Sequence, residues 1–554
     1  MKPSSTSSCA TGLSRRAEST GAASTFSRRW RGAIRLALVA AAWAFALRVE
    51  AQTFYLLTED GKLATVSAAA AGAPSAAVAI TGVTAGETLV AVDVRPQNQQ
   101  LYALGVNATA NTATLYHLSP ETNVANVVGT AGAIAFVNAA AVPVDYPATN
   151  WDIDFNPAVD RLRVVSESGL NFRVNPNTGA PVDGDLGGAA GSVAGVNTDG
   201  AINGGTTTAG AAAYTNNQPN NGGITTLYTL DATTNSLFIQ TPPNAGTQTL
   251  GQTVTLGGNP LDFSQASFDI APGVNAAASN TAVTSGLGYF VAKVGGATSL
   301  LYSVNLVNAQ ATLLGDLGLA VLSSAIRTEA GAAIALNDTA TSLIRFDPAT
   351  PGTTTTQAIA GLTAGETLAG IDGRPATGQL YGFGVNSTAN TGTLYLLDPQ
   401  TGAATVVGTA GSIAFVDAAA SPVDLPATSV GYGFDFNPTV DRVRVVTGNG
   451  LNFRLNPITG APVDGDLGGA AGSVAGINPD GALNGGTTTA QGAAYTNNFG
   501  GATTTTLYTL DAITGKLFIQ NPPNAGTQTS ALGLTLNGSI FSIAALGETI
   551  PVYT

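Results

Sequence analysis

Residues 151–217 read WDIDFNPAVDRLRVVSESGLNFRVNPNTGAPVDGDLGGAAGSVAGVNTDGAINGGTTTAGAAAYTNN, and residues 432–498 read YGFDFNPTVDRVRVVTGNGLNFRLNPITGAPVDGDLGGAAGSVAGINPDGALNGGTTTAQGAAYTNN. The likeness extends outward at an offset of 279 to 281 residues, from TAGETL at Thr84 and Thr363 to IQxPPNAGTQT at Ile239 and Ile519. A period of this length is much larger than one supersecondary unit, so the duplicated object is a whole domain or half of a ring. We divide the chain into a first copy at 52–318 and a second copy at 319–554.

The first 51 residues have the pattern of a signal peptide. Four arginines between 28 and 35 lead into the apolar run IRLALVAAAWAFAL at 34–47, and Ala51 precedes the predicted cleavage point. A basic region, a short apolar segment and a small residue before cleavage are typical of export, by the general or the twin-arginine route. We therefore expect a secreted protein, extracellular or periplasmic, that has no membrane segment once residues 1–51 are removed.

Composition narrows the function classes. The formal net charge is −13, and removal of residues 1–51 makes it −19 and removes Cys9, the single cysteine. A chain without thiols forms no disulfides, and strong negative charge without a basic run argues against binding to nucleic acid or to anionic lipid. We expect an acidic monomer whose partner is a glycan or another secreted protein.

The periodicity indicates strands almost throughout. Short alternating runs such as Leu89–Val94, Gln100–Leu104 and Thr114–Leu118 are separated by turn clusters rich in Pro, Asn and Gly. Units of four short strands that recur in this way are typical of radially arranged sheets. The sequence therefore predicts an all-β, β-propeller-like fold.

Two ways of closing such a fold remain open. The first unit has three strands, predicted at Thr53–Thr58, Lys62–Ser67 and Ala76–Ile80, while Ser539–Leu546 at the far end resembles the strand Ala266–Ala271. Pairing of the two ends would give one large ring of about nine four-stranded blades with no exposed edge. The alternative is two smaller propellers in tandem.

Arginines are the first candidate binding residues, because eight of the 13 cations beyond residue 51 lie at positions matched between the copies. The guanidinium group suits bidentate pairing with carboxylates, so these side chains predict either an anion or sugar site or ion pairs between blades. The candidate binding residues are Arg161, Arg163, Arg173, Arg442, Arg444 and Arg454.

A Gly-rich segment at 183–209, repeated at 464–490, is the candidate metal site. Its Asp-Gly-Asp and Asn-x-Asp-Gly turns present the hard oxygen ligands that Ca²⁺ prefers, although turn chemistry alone also explains them. No other cofactor is expected. The candidate ligands are Asp183, Asp185, Asp199, Asp464, Asp466 and Asp480.

Catalytic residues are not predicted. His117 is the single histidine, and Leu396 stands at its place in the second copy, which argues against a histidine-based triad. We expect a binding or scaffold module without enzymatic activity. The rival hypothesis is a calcium-dependent hydrolase or lactonase-type propeller, which would bring at least three of the following carboxylates around one point: Asp93, Asp154, Asp160, Asp183 or their second-copy equivalents.

The joint set of motifs AGETLxxxDxRP, QLYxxGVN, DFNPxxDRxRVV, NFRxNPxTGAPVD and IQxPPNAGT resembles the bacterial secreted family called domain of unknown function 4394. The resemblance covers almost all of 53–554, in two tandem copies. It implies an extracellular or periplasmic propeller-like domain and brings no established activity or catalytic residue.

Overall fold

A computed structural model describes residues 52–147, 150–218, 222–327, 333–346, 348, 351–536 and 539–540. The predicted signal peptide lies outside these residues. The described residues from 52 onward form one compact unit. No helix in the described part of the chain is long and apolar enough to span a bilayer.

Strands make up almost all regular structure of the first copy, because its alternating Val, Leu, Tyr and Phe residues fit a pleated surface. Three one-turn 3₁₀ helices interrupt them at Ala68–Ala70, Asp185–Gly187 and Pro243–Ala245. The strands are β1 (Thr53–Thr58), β2 (Lys62–Ser67), β3 (Val78–Ala79), β4 (Thr88–Arg95), β5 (Gln100–Asn107), β6 (Thr112–Ser119), β7 (Val124–Val127), β8 (Trp151–Asn156), β9 (Arg161–Ser166), β10 (Asn171–Val174), β11 (Pro181–Val182), β12 (Asn203–Gly204), β13 (Ala211–Tyr214), β14 (Leu227–Asp231), β15 (Ser236–Gln240), β16 (Thr247–Thr253), β17 (Thr255–Leu256), β18 (Asn259–Pro260), β19 (Ser264–Ile270), β20 (Leu287–Lys293), β21 (Leu300–Asn305), β22 (Gln310–Asp316) and β23 (Val321–Arg327).

The second copy repeats this pattern, with 3₁₀ helices at Thr428–Val430, Asp466–Gly468 and Pro523–Ala525. Its strands are β24 (Ala333–Leu336), β25 (Ser342–Phe346), β26 (Thr354–Ala358), β27 (Thr367–Gly373), β28 (Leu380–Asn386), β29 (Thr391–Leu397), β30 (Ala404–Val407), β31 (Tyr432–Asn437), β32 (Arg442–Thr447), β33 (Asn452–Leu455), β34 (Pro462–Val463), β35 (Asn484–Gly485), β36 (Gly492–Tyr495), β37 (Leu507–Asp511), β38 (Lys516–Gln520), β39 (Thr527–Gly533), β40 (Thr535–Leu536) and β41 (Ser539–Ile540).

Five small sheets contain the strands of the first copy, and the first of these sheets also includes β23, which lies beyond the predicted boundary at 318. In order they are β23-β1-β2-β3, β4-β5-β6-β7, β8-β9-β10-β11, β13-β14-β15-β16 with β12 at its edge, and β19-β20-β21-β22 with β17 and β18 at its edge. The main pairings are antiparallel, and short parallel bridges add β12 to β16 and β17 to β22. The predicted all-β class with many four-stranded antiparallel sheets is confirmed.

The innermost strands of these five sheets contact one another in a closed cycle. Strand β23 contacts β4, β4 contacts β8, β8 contacts β13, β13 contacts β19, and β19 contacts β23. We call this cycle the first ring. Hydrophobic clusters fill the spaces between neighbouring sheets, for example around Tyr102 and Phe155 between the second and third sheets. The innermost strands are buried along most of their length, whereas outer strands such as β16 and β22 are largely exposed.

Closure of the first ring differs from the pairing that a nine-sheet ring requires. Strand β1 pairs antiparallel with β2 on one side and with β23 on the other, with Phe54 opposite Ile326. The expected pairing of Thr53–Thr58 with Ser539–Leu546 is therefore wrong, because Val321–Arg327 already occupies that edge of β1. The strands predicted at Thr53–Thr58 and Lys62–Ser67 have the predicted bounds.

In the second copy, the sheets are β24-β25-β26, β27-β28-β29-β30, β31-β32-β33-β34 and β36-β37-β38-β39 with β35 at its edge, and β40 pairs with β41. The innermost strands β27, β31 and β36 contact in that order. Polar turns join the two copies: the Tyr102 hydroxyl donates to the Thr377 carbonyl at 3.4 Å, and Arg345 donates to Gln97 at 2.8 Å.

Candidate functional site

Buried aspartates connect the innermost strands of the first ring. These strands belong to different sheets, so their facing edges share no ladder and the edge amides need other acceptors. Oδ2 of Asp93 on β4 accepts the N–H of Phe155 on β8 at 2.8 Å. Oδ2 of Asp269 on β19 accepts the N–H of Ile326 on β23 at 2.6 Å. The carboxylates thus serve as inter-strand acceptors around the ring.

Three of these carboxylates meet. Oxygen atoms of Asp93, Asp154 and Asp269, from β4, β8 and β19, all lie within 4.8 Å of one another. We call these residues the carboxylate cluster. Of the four carboxylates that the hydrolase hypothesis would gather, the structure brings together Asp93 and Asp154, while Asp160 forms an ion pair with Arg95. The third member of the carboxylate cluster is Asp269, which the hydrolase hypothesis did not include.

The environment of the carboxylate cluster disfavours ionisation. Burial raises the pKa of Asp93 and of Asp154 well above the usual range, and the neighbouring carboxylates raise it further. Burial also raises the pKa of Asp269 to about 7. The adjacent Asp152 has a raised pKa for the same reason, and its Oδ2 accepts two amide hydrogens, from Ala212 and Phe268.

Asp269 was not predicted from the sequence, because the second copy has no aspartate at the matching position. Ser542, which lies outside the described residues, stands at its place in the sequence. A different signal would have found it: an aspartate followed three residues later by proline ends an apolar strand. This D-x-x-P pattern occurs at Asp93, Asp154, Asp269, Asp372 and Asp435.

The predicted arginines form a second group, on the third sheet of the first copy. Nη1 of Arg163 donates to Oδ2 of Asp199 at 2.6 Å, and Arg173 binds both oxygens of the same carboxylate at 2.8 and 2.7 Å. Asp199 is completely buried. Arg161 instead donates to backbone carbonyls, at 2.8 Å to that of Asp160. The structure thus combines two predicted binding arginines with one predicted metal ligand in a single ion-pair network.

The second copy repeats this network on β32 and β33. Arg444 donates to Asp480 at 2.5 Å, and Arg454 binds both oxygens of Asp480 at 2.8 and 2.7 Å. Arg442 donates to the backbone carbonyl of Asp441 at 2.8 Å. The carboxylate of Asp441 pairs with Arg374 instead.

A pocket of about 450 Å³ opens beside this second network. We call it the arginine pocket. Its wall is polar on the arginine side and apolar at the two prolines and the tyrosine ring. The lining residues are Asn437, Val440, Arg442, Arg444, Arg454, Tyr495, Pro522, Pro523 and Asn524.

One hydrogen bond distinguishes the two copies here. In the first copy, Nε of Arg163 donates to the hydroxyl of Tyr214 at 3.4 Å. In the second copy, Nε of Arg444 is buried and has no hydrogen-bond partner among the described residues. The equivalent tyrosine, Tyr495, lines the arginine pocket.

The remaining predicted metal ligands bind their own loops. Asp185 accepts the N–H groups of Gly191 and Val193, both at 2.9 Å, and these bonds hold the pKa of its carboxyl below the usual value. Asp183 accepts the N–H of Asn197 at 3.0 Å. Asp464 and Asp466 repeat these bonds with the equivalent amides. The structure does not bring these loop carboxylates into the carboxylate cluster.

The single histidine lies between the copies rather than in a site. Nδ1 of His117 is 3.1 Å from the carbonyl oxygen of Ala376, and burial lowers the pKa of its imidazole to about 4. The imidazole is therefore neutral at physiological pH. Its position is that of a buried contact between β6 and the turn before β28.

Comparisons with known proteins agree with the duplicated sequence. The family model described as domain of unknown function (DUF4394) matches residues 47–326 and 342–546. No curated protein is significantly similar in sequence to this chain. A similar solved structure is the computationally designed Ika8 protein in crystal packing No. 1 in P63, with 10% identity and a TM-score of 0.19 over 74% of this chain and 96% of that one. The chain thus belongs to the DUF4394 family, a domain of unknown function, and contains two tandem copies of it.

Proposed function

We propose that this protein is a secreted binding module that recognises an anionic glycan in the arginine pocket of the second copy. The observation that carries the proposal is that three arginines, Arg442, Arg444 and Arg454, line one pocket. Such groups bind carboxylates in a planar, bidentate manner. The pocket volume falls in the range of small-molecule binding sites.

The charge balance of the arginine pocket supports an anionic ligand. Arg444 and Arg454 share a single carboxylate, that of Asp480. Arg442 forms no ion pair within the described part of the chain, since its contacts are backbone carbonyls. The three lining arginines thus have one ion-paired carboxylate between them, in a protein whose net charge is −13. A fixed positive site in an acidic protein attracts an anion locally and selects against neutral ligands.

The apolar side of the pocket supports a sugar rather than a free inorganic anion. Pro522 and Pro523 add aliphatic surface to the lining of the pocket, and Tyr495 contributes an aromatic ring. A uronic acid residue has both features that such a pocket would bind. The face of its sugar ring can pack against apolar surface, and its carboxylate can pair with a guanidinium group. We therefore assign the ligand class as an acidic polysaccharide.

The scaffold in this proposal is propeller-like. The closed cycle of five innermost strands supports one five-bladed propeller for the first copy, with β1, β2 and β3 completing the blade that begins with β23. The matching order of β27, β31 and β36 supports a related arrangement in the second copy. The tandem-propeller alternative is the one that we retain.

A hydrolase does not fit the carboxylate cluster. Metal-assisted hydrolysis requires that the scissile group reach the metal. Asp93, Asp154 and Asp269 are only 1–3% exposed, which leaves no such access. We therefore place recognition in the arginine pocket and treat the cluster separately.

The test compares two matched arginines. Arg442→Gln removes the unpaired cation of the arginine pocket, and Arg161→Gln makes the same change in the first copy, where the backbone contacts are the same. We expect wild type and Arg161→Gln to bind oligogalacturonate in calorimetric titration at low salt, and Arg442→Gln to bind at least about tenfold more weakly. Equal binding of uncharged galacto-oligosaccharide, or unchanged binding by Arg442→Gln, contradicts the proposal.

A further inference from the structure

The carboxylate cluster has no compensating cation among the residues that the structure describes. Asp93, Asp154 and Asp269 come from three different sheets, and each is at most 3% exposed. No lysine or arginine in the described part of the chain forms an ion pair with them. Like charges at this separation repel strongly in a poorly solvated interior, so the three cannot all be ionised without a counter-charge.

Two of the three carboxylates are well held by backbone amides. Asp93 accepts the N–H of Val94 at 2.7 Å in addition to that of Phe155. Asp269 accepts the N–H of Ile270 at 2.6 Å in addition to that of Ile326. Each of these oxygens keeps a second lone pair. Their structural role therefore leaves acceptor capacity that faces the cluster.

Asp154 is different, because neither of its carboxylate oxygens has a hydrogen-bond partner of normal geometry. The side chain is 1% exposed, and an oxygen of it lies within 4.8 Å of the other two carboxylates. The amide of Tyr214 lies close enough to favour the ionised form of Asp154, but it does not reach the geometry of a normal hydrogen bond. A buried polar group without a partner is costly, so this carboxylate points to a ligand at the cluster.

We propose that Asp93, Asp154 and Asp269 bind one divalent cation, for which Ca²⁺ is the best match. Oxygen-only ligands are those of a hard cation. Three oxygens that surround an ion at about 2.4 Å lie about 4.2 Å apart, a spacing within the 4.8 Å limit that these oxygens meet. The ion would cross-link β4, β8 and β19 in the first ring. It would replace the repulsion between three carboxylates with attraction to a shared centre.

The second copy provides an internal comparison. Asp372 and Asp435 occupy the positions of Asp93 and Asp154, and their carboxyl groups are hydrogen-bonded to each other. Asp435 also accepts the N–H of Tyr495 at 2.6 Å. Two carboxyls that share a proton need no metal ion. We therefore infer one cation per chain, in the first copy alone.

The experiment is a calorimetric titration of the purified full protein, treated with EDTA and then dialysed free of it, with CaCl₂, MgCl₂ and MnCl₂ at pH 7.5. We expect one divalent ion per chain and a thermal midpoint several degrees higher in the presence of saturating ion. Asp154→Asn should abolish binding. The matched variant Asp435→Asn should keep one ion per chain.

The proposal is overturned if the wild-type protein binds no divalent ion, or if Asp154→Asn still binds one ion per chain with unchanged affinity. The same holds if Asp435→Asn, and not Asp154→Asn, loses the ion. Binding of Mg²⁺ or Mn²⁺ in place of Ca²⁺, with the same loss in Asp154→Asn, supports the site. If Asp154→Asn does not fold, the metal content of wild type measured by mass spectrometry before and after EDTA treatment decides, and a protein that never holds an ion refutes the site.

Discussion

The hydroxyl of Tyr214 accepts a hydrogen bond from Nε of Arg163 at 3.4 Å, whereas the equivalent Nε of Arg444 in the second copy has no partner in the described structure. Two nearly identical sequences thus differ in how one tyrosine is used. In the first copy the tyrosine completes a buried network, and in the second copy it lines an open pocket. The difference predicts unequal effects of the same substitution.

Removal of the tyrosine hydroxyl should affect stability in the first copy only. Tyr214→Phe leaves Nε of Arg163 without its acceptor, and we expect a loss of about 1 kcal/mol in the free energy of unfolding. Tyr495→Phe removes no hydrogen bond to Arg444 and should be neutral within about 0.5 kcal/mol. Denaturant unfolding of both variants checks this. Equal losses would show that the two tyrosines have the same role.

Loss of a shared buried carboxylate should be much more damaging. Asp199→Ala leaves Arg163 and Arg173 with no counter-charge, and we expect destabilisation of about 3–5 kcal/mol. Arg161→Gln removes only contacts to backbone carbonyls and should cost less than about 1 kcal/mol. The shift in denaturation midpoint measures both. A small effect of Asp199→Ala would mean that water reaches the two arginines.

Stability in the absence of metal should fall as the pH rises. Asp269 has a pKa of about 7 in the folded protein because it is buried, while an unfolded aspartate titrates near about 3.9. The folded state therefore binds more protons between these values, and the free energy of unfolding decreases across that window. Thermal midpoints in EDTA should be higher at pH 5 than at pH 8.

Two controls test whether ionisation of the buried carboxyl groups causes that pH dependence. Asp269→Asn should reduce the difference between pH 5 and pH 8 without removing it, because burial also raises the pKa of Asp372 to about 7. Saturating Ca²⁺ should counteract the loss at pH 8, since a cation favours ionised carboxylates. A stability that rises with pH in EDTA would contradict the assignment.

A fourth prediction concerns the boundary between the copies. A fragment of residues 52–318 lacks β23, which leaves the edge of β1 unpaired and the first ring open. We expect it to aggregate or to remain without cooperative unfolding. A fragment of residues 52–327 includes β23 and should unfold in one transition, as followed by circular dichroism. Equal behaviour of the two fragments would show that β23 is dispensable.

Local patterns in the sequence were enough to predict the duplication, the all-β class and the bounds of β1 and β2. The partner of β1 was not predictable in this way, because Val321–Arg327 and Ser539–Leu546 are both apolar runs in the sequence. The choice between them depends on packing between distant parts of the chain. Matching between copies drew attention to Arg163 and Arg444, which do form networks. The same comparison of the two copies did not identify Asp269, because its neighbours Asp93 and Asp154 come close to it only in the folded chain.

The pairing of β1 with β23 also sets an order of events during synthesis. The segment Thr53–Thr58 leaves the ribosome about 270 residues before its partner Val321–Arg327. One edge of β1 therefore stays unpaired while most of the first copy is being translated. Completion depends on the latest-made strand, and loop closure over this distance is slow. The first ring can therefore close only after Val321–Arg327 has been made, so the first copy completes its folding late in its own synthesis.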